Sequence, residues 1–137
     1  MLWVMDCSMA AALGLPDESS AEADKFIVQM QDHETWVPSL WWHEIGNVLV
    51  SARRRRRISD SESSALLQLY GDLPIRTDYA SGAGVLERIH RLSMSYQLSA
   101  YDAAYLELAE RKQSGLATLD QKLLLSARDC GIETFHA

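Results

Sequence analysis

The sequence predicts an α/β fold, a parallel sheet with helices on both faces. Three observations lead there. Short apolar runs alternate with segments of helical period along the whole chain. The first run, Met1-Leu2-Trp3-Val4-Met5, stops abruptly at Asp6, and a helical run starts at once from Ser8. A later run, Leu116-Ala117-Thr118-Leu119, stops in the same way at Asp120. Runs this short fit buried strands and are too short for a signal peptide. Open α/β sheets bind ligands beyond the carboxyl ends of their strands, which is where both aspartates fall.

Leu2 to Met5 is the first strand. Ser8 to Leu15 reads as a short helix, stopped by Gly14 and Pro16. Glu18 to Gln31 reads as a helix because Ala23, Phe26, Ile27 and Met30 recur at i, i+3, i+4, i+7. Thr35-Trp36-Val37 is a short strand closed by Pro38. Ser39 caps a helix running to about Arg55, and Ser59 caps another to Tyr70, a hairpin joined by the arginine run. Pro74 to Thr77 is a third strand. Ser81 to Ser95 is a helix despite Gly82 and Gly84 in its first turn. Ser99 to Gln113 is a helix stopped by Gly115, and Leu116 to Leu119 is the fourth strand. Asp120 to Asp129 is a helix ended by Gly131, and Ile132 to Phe135 is a last edge strand. The sheet therefore has four to five strands. With no repeat, linker or low-complexity segment, residues 1–137 read as a single domain.

A chain of 137 residues with 47% hydrophobic content can bury a real core. No apolar run approaches the ~18 residues of a membrane span, and nothing at the N-terminus resembles a targeting segment, so a cytoplasmic location is expected. Cys7 and Cys130 form no CxxC pair and read as reduced thiols. The net charge of -6 argues against broad, nonspecific binding of nucleic acid. It leaves room for a nuclease, whose metal site needs several carboxylates.

Four acids are candidates, and each has a structural reading as well. Asp6 and Asp120 could be helix N-caps. Glu44 lies on the margin of the stripe formed by Trp41, Ile45, Val48, Leu49 and Ala52, in line with Leu40, Asn47 and Ser51. It could be an exposed glutamate favoured by the helix dipole. A zinc-protease HExxH motif fails because Asn47 stands where the second histidine is needed. Asp102 follows Ser99 at capping-box spacing. Yet it lies roughly 130° from the polar face marked by Glu107, Glu110, Arg111 and Ser114, among apolar neighbours. An aspartate there needs a cation or hydrogen bonds. Together the two strand-end aspartates and two first-turn acids can meet at one sheet edge. Their repulsion is relieved by Mg²⁺ or Mn²⁺, hard ions that favour carboxylate and phosphate oxygen and activate water.

The stretches Val4 to Ser8, Pro38 to Leu49 around Glu44, Leu98 to Ala109 around Asp102, and Leu116 to Asp120 resemble the PIN-domain family, specifically the VapC-type toxins. They fall in the family's order, and the similarity covers essentially the whole chain. The resemblance implies a three-layer α/β/α sandwich and Mg²⁺-dependent endoribonuclease activity. It also implies a homodimer and a cognate antitoxin whose C-terminal segment occupies the site. The family's acidic positions fall on Asp6, Glu44, Asp102 and Asp120, and its supporting hydroxyls on Ser8 and Thr118; Asn47, in line with Glu44, joins the supporting set. On this reading Asp6, Asp102 and Asp120 bind the metal. Glu44 completes the coordination or orients the attacking water. Many relatives carry a further acid two residues after the last aspartate, where this chain has Lys122. Lys122 reads as a phosphate holder or as a sign of weaker binding of a second metal.

Arg53 to Arg57 reads either as a solvated helix end or as a clamp on RNA phosphates, with Arg54 and Arg55 roughly 15 Å along the helix from Glu44. Contact with acidic residues of an antitoxin is a third option. Trp41 reads as core and Trp42 as interface; His33, His90 and His136 read as surface. Two rival functions remain. One is a PIN-like module that binds RNA or protein without catalysis. The other is a phosphoryl-transfer domain of dehalogenase or receiver type, which wants an acid where Ser8 stands or an acidic pair where only Asp6 is found, although Asp78 follows strand three suggestively.

Overall fold

The computed structural model describes residues 1–136. Strand β1 (Leu2–Met5) leads into helix α1 (Cys7–Gly14), a 3-10 turn (Pro16–Glu18) and α2 (Ala21–Gln29). Then come β2 (Glu34–Pro38), the helical pair α3 (Leu40–Arg54) and α4 (Asp60–Asp72), and β3 (Ile75–Asp78). A second helical pair, α5 (Ala83–Tyr96) and α6 (Ala100–Lys112), precedes β4 (Gly115–Ala117) and α7 (Gln121–Asp129). The four strands are parallel in the order β3-β2-β1-β4. Helices cover the sheet, giving the expected α/β/α sandwich. β1 is interior, so Trp3, Val4 and Met5 are all buried, as a near-continuous apolar strand requires.

The register brings the carboxyl ends of the strands to one edge. Met5 pairs with Ala117 and Pro38 with Asp78. Asp6, Ser39, Asp78 and Thr118 therefore leave the sheet on the same side. Two glycines make this packing possible. A Cβ on Gly115 would run into the Trp3 ring, and one on Gly14 into Leu66 and Tyr70. Tyr70 in turn donates its hydroxyl to the Ala10 carbonyl at 2.8 Å.

Several expectations are corrected. The second helix starts at Ala21, capped by Ser20 through the Ala23 N–H, because Pro16 sets a separate 3-10 turn. Ser39 sits at the cap position of α3 in helical geometry, but its side chain makes no cap bond. Gly82 takes φ 103° at the entry to α5, so a glycine suits the position before the helix. The expected last strand, Ile132 to Phe135, shrinks to one bridge between Leu116 and Thr134. Two backbone bonds to Leu116 hold it, and Phe135 anchors it edge-on against Trp3 and Phe26. The sheet thus has four strands. Glu107 does not belong to the solvent face of α6: it is 3% exposed, because α5 packs over that side. Arg88 and Arg111 pair with it there. Trp41 is core, and Trp42 is partly exposed, its indole N–H donating to the Thr77 hydroxyl at 2.9 Å. His90 and His136 are exposed, whereas His33 is partly buried with an unpartnered Nδ1. Among the described residues no helix is long and apolar enough to cross a membrane.

Candidate active site

Asp6 is the anchor of the sheet edge. It is 4% exposed, and protein donors reach both of its carboxylate oxygens. Oδ1 accepts the Ser8 hydroxyl at 2.8 Å and the Met9 N–H at 3.0 Å, so Asp6 is the N-cap of α1. Oδ2 accepts the Thr118 hydroxyl from the end of β4. Thr118 Oγ1 also accepts the Asp120 N–H at 3.0 Å, and Ser8 Oγ accepts the Leu119 N–H at 2.9 Å. Two hydroxyls thus stitch the end of β1 to the end of β4. Asp120 repeats the arrangement of Asp6: its Oδ1 caps α7 through the Leu123 N–H at 2.9 Å. The capping and site readings are therefore not rivals at these two positions.

Asp102 stands in the first turn of α6, half-buried, its N–H donating to the Ser99 hydroxyl at 3.1 Å. Glu44 is half-buried in the second turn of α3, and its Oε1 accepts the hydroxyl of Tyr105 from α6. Tyr105 escaped the sequence reading. The signal for it was a buried tyrosine one turn past Asp102, whose hydroxyl needs a partner.

The acids feel one another. Burial pushes Asp6 up to about 6, against the pull of its hydrogen bonds, and the Asp120 charge adds to the rise. Burial and then the Asp120 charge raise Asp102, while Ser99 and the Lys122 ammonium oppose them. Burial raises Glu44, the Tyr105 bond opposes it, and the Asp102 charge adds. Cys7, beside them, is pushed up to about 12 by burial and by Glu44, Asp6 and Glu18, so it is an unreactive thiol. Asp6, Asp120, Asp102 and Glu44 thus form a linked series of like charges at one edge.

No protein-family model matches the chain. Among curated proteins it is 33% identical over 123 residues to Ribonuclease VapC3 of Pyrobaculum aerophilum, covering 90% of this chain and 92% of that one. The chain belongs to the VapC ribonuclease family. Solved structures agree on the PIN-domain fold. VapC20 of Mycobacterium tuberculosis, described as a sarcin-ricin loop cleaving toxin, superposes with TM-score 0.65 at 17% identity, covering 92% of this chain and 95% of that one. VapBC2 of Rickettsia felis, bound to a DNA fragment from their promoter, gives TM-score 0.67 at 11% identity, covering 98% and 97%. This VapC-family protein is accordingly a ribonuclease, an RNA-cleaving hydrolase.

The donor chemistry of the VapC site suits a hard divalent cation. Its side chains are oxygen donors, and a buried aspartate with a raised proton affinity is a place where positive charge is welcome. Among the described residues, no three His, Cys, Asp or Glu side chains are close enough to form a ready-made cage. Mg²⁺ does not need one, since it keeps several waters and takes only one or two carboxylates. The residues fit the ion in kind.

The other expected residues lie around the acids. Asn47 is exposed and lines a cleft of about 300 Å³ with Cys7, Ser8, Ser51 and Arg57, next to the acids and not among them. The arginine run is divided. Arg53 pairs with Asp60, and Arg57 grips Asp17 at 2.7 and 2.8 Å and Glu18 at 2.9 Å. Arg54 and Arg55 are exposed and make no ion pair among the described residues. Lys122 is exposed in the first turn of α7, near enough to act on Asp102. Asp78, the residue that favoured a receiver-type domain, is occupied by a two-pronged bond from Arg111 at 2.7 and 3.0 Å.

Proposed function

We propose that Asp6, Glu44, Asp102 and Asp120 form the catalytic centre of this VapC ribonuclease, with Mg²⁺ as cofactor and Mn²⁺ as a substitute. The observation that carries the proposal is the linked series of four acids, anchored by a buried aspartate that two hydroxyls hold. When bound, the cation makes a water more acidic and stabilises the leaving oxygen of a phosphodiester. Of Asp6, Asp102 and Asp120, one or two would hold it directly and the rest through its waters. Ser8 and Thr118 fix the Asp6 carboxylate, and Thr118 also fixes the Asp120 backbone, so these two ligands move as a unit. Glu44 keeps one carboxylate oxygen without a protein donor and orients the attacking water. The bond cleaved is a phosphodiester within an RNA chain.

The substrate backbone leaves the acids along the cleft past Ser8 and Asn47 towards Arg54 and Arg55, while Lys122 meets a phosphate from the α7 side. Arg53 and Arg57 serve the fold, which leaves Arg54 and Arg55 free for this task. In this reading the protein is a single-domain cytoplasmic toxin. It pairs with a second copy of itself and is restrained by a cognate antitoxin whose tail covers the acids. The antitoxin reading is supported by the kinship with a VapBC assembly.

Asp6→Asn keeps the helix cap and removes the charge. It should lower RNA cleavage at least ~100-fold while leaving the circular dichroism spectrum unchanged. Normal cleavage by this variant would sink the mechanism. Cleavage by the native protein that persists in EDTA would remove the cation from it.

A further inference from the structure

Asp6 and Asp120 are placed by the backbone, because each caps the helix that follows it. Glu44 has no such support. It sits mid-turn on α3, half-buried, and among the described residues it makes no ion pair and its single hydrogen bond is the one from Tyr105. A glutamate left to itself on a helix surface has several rotamers and must lose that side-chain entropy before it holds one pose. Tyr105 has none of that freedom: its ring is 1% exposed, packed in the core under α6. The bond spans 61 positions in sequence and joins α3 to α6. Asp102 lies one turn before Tyr105 on α6, so one helix carries both an acid of the site and the hydroxyl that holds another.

We propose that Tyr105 is a positioning residue for Glu44, fixing one carboxylate oxygen so that the other is presented to water beside Asp102. The proposal rests on the reading of Glu44 as the group that orients the attacking water. Burial and the neighbouring Glu44 charge push the Tyr105 hydroxyl far above its ordinary range, so it is always the donor. This division of labour predicts a specific pattern. Loss of the hydroxyl should slow the chemical step and leave cation and RNA binding intact, since neither depends on the pose of Glu44.

Kinetics on a short RNA, with Mn²⁺ titrated separately by electron paramagnetic resonance, test the proposal. Tyr105→Phe should lower kcat about 10-fold or more, with KM and the Mn²⁺ dissociation constant within about twofold of the native protein. Glu44→Gln should lower kcat at least as far. The double variant should be no slower than Glu44→Gln alone, because the hydroxyl acts only through the carboxylate. A native kcat in Tyr105→Phe overturns the inference, as do losses that multiply in the double variant. A loss of Mn²⁺ affinity parallel to the loss of kcat would reduce Tyr105 to a prop for the core and also overturns it. Should Tyr105→Phe fail to fold, Glu44→Asp serves instead. It keeps the charge but is one methylene too short to hold the same bond, and native kcat there overturns the inference. Normal cleavage by Glu44→Gln would instead remove the catalytic reading of Glu44 itself.

Discussion

Thr118 links two aspartates through one hydroxyl, donating to Asp6 Oδ2 and accepting the Asp120 N–H. Thr118→Val keeps the shape of the side chain and strands both partners. It should cost about 1–3 kcal/mol in urea unfolding and lower cleavage at least ~10-fold. Unchanged stability would mean that the hydroxyl bridge contributes nothing. The residues at this edge differed in how readable they were. Asp6 and Asp120 were plain because their placement is local, each following a strand. Asp102 was readable because a carboxylate on an apolar stripe stands out. Tyr105 was not, since where a hydroxyl points depends on how α6 crosses α3, and no spacing within one helix records that. The arginine run was ambiguous for the same reason: its division into held and free members depends on Asp17 and Glu18, 40 and 39 positions away.

Among the elements, the face shared by α5 and α6 is the clearest departure from sequence pattern. A helical wheel knows only one helix, so it assigns Glu107 to water; α5 covers it, and Arg88 and Arg111 make burial tolerable. Burial alone would raise the Glu107 carboxyl, but the bonds from Arg111 and Arg88 outweigh it and leave the group below its ordinary value of 4.5. Asp78 is held below its ordinary 3.8 chiefly by Arg111. Acids bound more weakly to protons in the folded chain than in the unfolded one stabilise the fold above their ordinary values. That contribution fades as pH falls through the folded values. Asp78→Asn should therefore cost about 1–2 kcal/mol at pH 7, with the gap to the native protein closing as pH falls below the ordinary value of 3.8. A gap independent of pH in urea titrations would show that the ion pair is not its source.

At the scale of the molecule, alternation of strands and helices announced a parallel sheet, and the edge carrying the acids followed from it. The final strand was over-read: a short apolar run near the chain end meets one partner residue and pairs no further. Gathering four acids at one edge of a protein with net charge -6 works against folding, and the proposed cation would offset that cost. Saturating Mg²⁺ or Mn²⁺ should raise the melting temperature, with a gain of about 2.7 kcal/mol at 100 times the dissociation constant. EDTA should reverse the gain, and Asp6→Asn should show little of it. A native melting temperature indifferent to both ions would sink the proposed cation site.

The pairing of β1 with β4 joins residues 3–5 to residues 115–117. Segments far apart in sequence must meet before this part of the sheet is complete. Until Thr118 is in place nothing from β4 holds Asp6, and β1, the interior strand before it, is paired on one side only. Contacts this distant in sequence also slow folding. The sheet edge that carries the acids is therefore completed by a contact across 112 positions, from Thr118 back to Asp6. That separation is built into strand order.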